Sequence, residues 1–270
     1  MLALACDTTC ALSREEARAL GVELVPMSYV VDGRRYAEAP MGENGDYAKL
    51  LRRCRTCSTE PPSPTAFARA FRELAGRGDE VLCLTISSRL SGAFRAAQEA
   101  ASGMDGVTVL DSWTTSSALE LLVRRARALA DEGRGAAEVV DALVEERERA
   151  SIAFAVPDMG TLRRSGRLGA LRRSLTSMLN HRPVMELARG GIVELGSANG
   201  ASGVGRVLAE QVPADAREAV LVHFGSRGSD ARHVLLALRQ RLPRLRVRMK
   251  DGGPVLTENL GDGAVALAWR

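Results

Sequence analysis

The chain has 270 residues, of which 46% are hydrophobic and 26% charged. Those proportions exclude a disordered or fibrous protein and leave room for one large or two modest globular domains. The 37 basic and 33 acidic residues give a net charge of +4, an excess too mild to mark a nucleic-acid binder.

Leu2 to Cys6 is apolar and reads as a first buried strand, followed by Asp7-Thr8-Thr9. Ser13 with Glu16 fits a capping box that opens a helix ending near Gly21. Val22 to Val31 is extended and apolar, and Asp32-Gly33 is a hairpin-type turn. Ser63-Pro64 supplies an N-cap with proline in the first turn, after which Phe67, Ala70, Phe71 and Leu74 recur at helical spacing up to Gly76. Val81 to Ile86 is a strand that leads through Ser87-Ser88-Arg89-Leu90-Ser91-Gly92 into a helix from Ala93. Val107 to Leu110 repeats the scheme, with Asp111-Ser112 and then a helix running to about Glu132. A charged helix, Ala136 to Arg149, precedes a strand at Ile152 to Val156. Such alternation predicts a mostly parallel sheet flanked by helices, residues 1–156.

Beyond Pro157 the texture changes to the basic stretch RRSGRLGALRRS, followed by an apolar helical face of Leu171, Leu175, Met178 and Leu179. Arg189-Gly190-Gly191 between two apolar runs predicts a hairpin, so the second domain, 157–270, is α/β with antiparallel strands. Ala219 to Phe224, a helix over Ser229 to Leu242, and Leu245 to Met249 make a further βαβ unit, and Gly263 to Trp269 is the last strand.

Aromatics are only 4%, so any core or ligand cavity is expected to be lined mainly by Leu, Val, Ala, Ile and Met. Five cysteines, an odd number in a chain this long, point to a reducing compartment, and the expected location is cytoplasmic. The opening MLALAC mimics the end of a lipoprotein signal but lacks a basic start and a long apolar stretch. No run is long enough to span a membrane.

Hydroxyls collect at strand ends: Thr8-Thr9, Thr59, Ser87-Ser88-Ser91, and Ser112 with Ser116. In an open α/β sheet ligands sit outside the carboxyl ends of the strands, and Ser91-Gly92 ahead of a helix suits a carboxylate or phosphate. The same residue types serve as caps and turn formers in any such fold. Asp7, Asp111 and Asp158 also follow strands, but the spacing of an aspartyl-phosphate motif is missing and no metal site is expected. Cys54 and Cys57 have redox or zinc spacing without a second pair, while His181, His223 and His233 are scattered, so the pair reads as structural or incidental. Of the arginines at 163, 164, 167, 172 and 173, Arg167 alone sits between glycine-bearing turns. The common nucleotide and hydrolase signatures are absent, so no cofactor is expected.

ACDTTC, VELVPMSYVVDG, TEPPSPTAF, ISSRLSGAF, VLDSWTTSS, LRRSGRLG, LNHRPV and GPVLTENLGDGA, in this order, resemble the DegV family across nearly the whole chain. The resemblance implies two α/β domains and a non-catalytic carrier that buries one long-chain fatty acid and presents its carboxyl head to a separate fatty acid kinase. It implies head-group contacts from Thr59, Ser91 and Arg167, with Asn259 where the family has a histidine. Thr8, Thr9, Ser88 and Ser116 are further candidates for ligand contact from their strand-end positions. Other departures are Ala118-Leu119-Glu120 in place of a glycine-rich run, Arg182-Pro183 in place of a Lys-Pro pair, and Ser197 to Gly200 in place of a K-x-R-G run. The expected partners are the fatty acid and the kinase, with no nucleic acid and at most a transient membrane-surface contact. The competing reading is an enzyme acting on a small anionic substrate in the cleft between the domains.

Overall fold

The computed structural model describes residues 2–76, 80–149, 151–168, 181–225 and 229–270. The apolar face expected at Leu171, Leu175, Met178 and Leu179, and the arginines at 172 and 173, lie outside the described residues.

The first strand, β1 (Leu2–Asp7), ends in a single 3₁₀ turn at Thr8–Cys10 and leads to α1 (Arg14–Ala19). Ser13 caps this helix reciprocally: its Oγ accepts from Glu16 N–H at 3.1 Å, and Glu16 Oε2 accepts from Ser13 N–H at 2.9 Å. The extended run at 22–31 is two strands rather than one, β2 (Val22–Val25) and β3 (Ser28–Val31). Pro26 has no N–H to continue a ladder, and the chain changes sheet there. β3 turns through Asp32-Gly33, both at positive φ (47° and 82°), into β4 (Arg34–Ala37). After α2 (Tyr47–Arg53), strand β5 (Cys57–Glu60) pairs antiparallel with β3, giving a three-stranded sheet ordered β4-β3-β5.

Next come α3 (Pro64–Ala75), β6 (Glu80–Thr85), α4 (Ala93–Ala101), β7 (Val107–Asp111), α5 (Ser116–Asp131) and α6 (Ala136–Arg149). Ser63 Oγ accepts from Ala66 N–H to cap α3, whose buried residues are Phe67, Ala70, Phe71 and Leu74. Strands β2-β1-β6-β7 form an all-parallel sheet with α3 and α4 packed on one face and α5 and α6 on the other.

The remaining elements are β8 (Ser151–Ala155), α7 (Met159–Ser165), β9 (His181–Ala188), β10 (Gly191–Asn199), α8 (Gly200–Gln211), β11 (Glu218–His223), α9 (Ser229–Arg241), β12 (Arg246–Asp251), α10 (Pro254–Leu260) and β13 (Val265–Trp269). They build a six-stranded sheet ordered β10-β9-β8-β13-β11-β12, antiparallel except for the parallel β11–β12 pair that α9 connects. The sequence places β8 in the first domain, ahead of the break after Val156. Its ladders with β9 and β13 place it inside the six-stranded sheet.

Helices α8 and α9 cover one face of this sheet. The other face meets α5, which therefore lies between the two large sheets: Leu119 and Leu122 face the parallel sheet, Ala118 and Leu121 the mixed one. Helix α10 crosses back to pack on α2, β5 and β3.

Candidate functional site

A cavity of about 330 Å³ lies between the ends of the parallel strands, the α5 face of the six-stranded sheet, and helices α7 and α10. Its walls are apolar, with Ile86, Ile152, Phe154, Leu162, Phe224 and Leu260 among them. Polar groups gather from separate elements: Thr59 on β5, Arg89 and Ser91 in the β6–α4 turn, Thr115 and Ser116 at the start of α5, Arg167 after α7, and Asn259 on α10.

Five of these, Thr59, Ser91, Ser116, Arg167 and Asn259, are candidates from the sequence, and their local geometry decides what they can bind. Asn259 Nδ2 donates to the Val255 carbonyl at 2.7 Å and to Thr59 Oγ1 at 3.3 Å. Thr59 Oγ1 is thereby used as an acceptor, which leaves its own O–H to donate elsewhere. Ser91 Oγ likewise accepts from Ala93 N–H at 3.3 Å, and its proton is also free to donate. Gly166 closes α7 in a left-handed conformation (φ 76°), so that the chain doubles back. That turn lets Arg167 Nε donate to the Leu90 carbonyl at 3.3 Å, while Nη1 holds the Ser165 carbonyl. The polar part of the cavity thus presents hydroxyl and guanidinium donors, the complement of a carboxylate, beside one carboxylate of its own, Glu60, which pairs with Arg35 at 2.6 Å.

Ser116 lines the same cavity, with a positive φ of 54° and a buried Oγ that has no partner among the described residues. Thr8, Thr9 and Ser88 do not line it. Thr8 Oγ1 donates to Glu38 Oε2 at 2.7 Å and accepts from Met27 N–H, while Thr9 Oγ1 donates to Asp7 Oδ1 at 2.6 Å. Ser88 is exposed, and its N–H donates to Asp111 Oδ1.

The strand-end aspartates spend their oxygens on backbone. Asp7 accepts from the N–H groups of Thr9 and Ile86, Asp111 from those of Ser88 and Trp113, and Asp158 from Gly160 and Thr161 at the start of α7. Burial raises the Asp7 carboxyl above its ordinary range, against the hydrogen bonds that lower it. Cys54 and Cys57 are free thiols away from this cavity, and burial pushes the Cys57 thiol up to about 12.

Two groups carried no recognised signal in the sequence. Glu38 is buried between Thr8 and the first turn of α10, where its Oε1 accepts from Val255 N–H at 3.1 Å. Burial, aided by the charge of Asp7, pushes its carboxyl up to about 7. Arg89 sits within the quoted turn, but its setting depends on a hairpin 100 residues away.

No described helix is long and apolar enough to cross a membrane. Residues 1–270 match the family described as "Uncharacterised protein, DegV family". A DegV domain-containing protein of Deinococcus radiodurans is 32% identical over 278 residues, covering 99% of this chain and 97% of its own. Another, from Halalkalibacterium halodurans, is 29% identical and covers 99% and 98%. Among solved structures, a DegV-family protein of Thermus thermophilus described for its fatty acid binding has a TM-score of 0.85 at 28% identity, covering 99% of this chain and 98% of its own. A DegV lipid-binding protein of Thermotoga maritima shares the fold with a TM-score of 0.89 at 22% identity, over 100% and 98% of the two chains. The chain described here belongs to the DegV family.

Proposed function

We infer that this protein is a cytoplasmic, non-catalytic carrier that buries one long-chain fatty acid and presents its carboxyl head to a separate kinase. The observation that carries this reading is the division of one cavity into apolar walls and a polar group that includes hydroxyl donors with free protons. An acyl chain of about 16 carbons gains about 0.8 kcal/mol per buried methylene, roughly 10 kcal/mol before ordering costs. The walls therefore supply affinity, and Thr59, Ser91 and Arg167 need only fix the head.

The Thermus relative's fatty acid binding supports the lipid-binding part of this reading. Among the described lining residues there is no histidine, cysteine or lysine to activate Ser91 or Thr59, and the one carboxylate, Glu60, is paired with Arg35 at 2.6 Å, which favours carriage over hydrolysis. In the kinase step the carboxylate attacks the γ-phosphorus of ATP, forming an acyl phosphate and releasing ADP. The carrier contributes the orientation of the carboxylate and the exclusion of water from the chain.

The test is a coupled assay with palmitate-loaded protein, ATP and a bacterial fatty acid kinase. Arg167→Ala is expected to depress ADP release more than it depresses palmitate binding, because Arg167 also braces the Leu90 and Ser165 carbonyls around the head. Failure of the unmodified, loaded protein to support ADP release overturns the kinase role while leaving lipid binding standing.

A further inference from the structure

Arg89 occupies the centre of the turn Ser87-Ser88-Arg89-Leu90-Ser91 and lines the cavity beside Ser91. The turn is fastened to the tip of the β9–β10 hairpin. Ser87 Oγ accepts from Arg89 N–H at 3.2 Å and donates to the Gly190 carbonyl at 2.8 Å. The guanidinium then lies on the hairpin itself: Arg89 Nη1 donates to the Arg189 carbonyl at 3.3 Å. A Cβ on Gly191 would stand 2.8 Å from Arg89 Cζ, so only a glycine at 191 leaves the guanidinium where it is. One on Gly190 would stand 2.5 Å from Ser87 Oγ.

Among the described residues no ion pair joins Arg89 or Arg167 to a carboxylate: Glu60, which lines the same cavity, pairs with Arg35 at 2.6 Å, and Glu258 feels the charge of Arg167 from farther off. Arg89 spends one of its five N–H donors on the protein and Arg167 spends two of its side-chain donors. Both line the cavity that holds Thr59 and Ser91, and both reach the 87–91 turn, Arg89 from within it and Arg167 through Leu90. A single carboxylate is matched by one guanidinium and two hydroxyls. The second guanidinium is surplus to a fatty acid, but not to a phosphorylated one, whose head carries nearly two negative charges and additional terminal oxygens that suit the arginine fork.

We propose that Arg89 is a phosphoryl-recognition residue: together with Arg167 it binds the phosphoryl group of a long-chain acyl phosphate in this cavity, so that the phosphorylated ligand is retained more tightly than the free fatty acid. The proposal rests on the fatty-acid-carrier reading above, and the experiment separates the two. The probes are palmitate and hexadecylphosphonate, a stable dianionic analogue, titrated into unmodified protein, Arg89→Ala, Arg89→Lys and Gly191→Ala. Unmodified protein is expected to prefer the phosphonate. In Arg89→Ala the ratio of phosphonate Kd to palmitate Kd is expected to rise by about tenfold or more, with partial recovery in Arg89→Lys, which restores charge without the fork. Gly191→Ala keeps Arg89 but displaces its guanidinium, and is expected to move the ratio in the same direction. A ratio unchanged in Arg89→Ala and Gly191→Ala overturns the role of Arg89 while palmitate binding by the unmodified protein upholds the carrier. Unmodified protein that binds neither compound overturns the carrier reading, and the role of Arg89 with it.

Discussion

Thr59 and Ser91 are ordinary residues whose usefulness depends on which half of each hydroxyl is already engaged. Both oxygens accept from the protein, one from an amide side chain and one from a helix N–H, so both protons are left for a ligand. Thr59→Ala and Ser91→Ala are each expected to weaken palmitate binding by about 1 to 3 kcal/mol with the fold intact, measured by calorimetric titration. If neither does, the head group lies elsewhere in the cavity, with Ser116 the next hydroxyl to remove. Legibility at this scale follows sequence distance. The polar residues Thr59, Ser91, Arg167 and Asn259 could be named from short motifs, and the structure brings them to one cavity. Thr8 and Thr9 carried the same strand-end signal, but their hydroxyls are consumed by Glu38 and Asp7. Arg89 acquires its setting only from Arg189 and Gly191, residues that nothing within its own turn specifies.

Among the elements, α10 links the cavity to a buried acid. Glu38, beyond the edge of β4, reaches the first turn of α10 through Val255 N–H, and the same helix carries Leu256, Asn259 and Leu260 to the cavity. A carboxyl pushed up to about 7 in the folded protein keeps a proton that the unfolded chain loses near 4.5. Between those values the native state binds more protons, so stability falls as pH rises, by roughly 3 kcal/mol from this group, and levels off above about 7. Glu38→Gln is expected to flatten that fall between about pH 5 and 7 in urea denaturation, relative to unmodified protein. Identical pH slopes in the two proteins would show that Glu38 is ionised throughout. At this scale the sequence was readable where amphipathic spacing and caps agreed, as in α3 with Ser63, Phe67 and Phe71. It was not readable at β8, because a short apolar strand looks the same in either sheet and only its partners, β9 and β13, decide. The break at Pro26 was visible as a proline, yet the change of sheet it marks depends on β5, which pairs with β3 from beyond α2.

Across the whole molecule, α5 joins the two large sheets through apolar contacts on both faces, and one charged cluster ties them again. Glu120 on α5 is fully buried and meets Arg124 at 2.8 Å, Lys250 at 2.8 Å and Arg248, the last two from β12 at the edge of the six-stranded sheet. Lys250 also holds Glu16 of α1 at 2.5 Å and the Ala11 carbonyl at 2.9 Å, which carries the tie to the parallel sheet's own helix. Removing one member of a buried network strands the charges that remain, so Glu120→Ala is expected to cost about 3 to 5 kcal/mol in urea denaturation. A loss under about 1 kcal/mol would mean that Glu16 alone satisfies the two β12 cations. The resemblance registers Glu120 only as a departure from a glycine-rich run, since its partners lie on β12 and on its own helix. The cavity sits between the sheets that this network and α5 hold together, and a dry aliphatic space there would be a costly void unless occupied. Native mass spectrometry of the protein purified from a bacterial host addresses that occupancy directly. The expected spectrum shows one long-chain fatty acid per chain, lost on denaturation. A spectrum at the bare protein mass, with no thermal shift when palmitate or oleate is added, contradicts the carrier account.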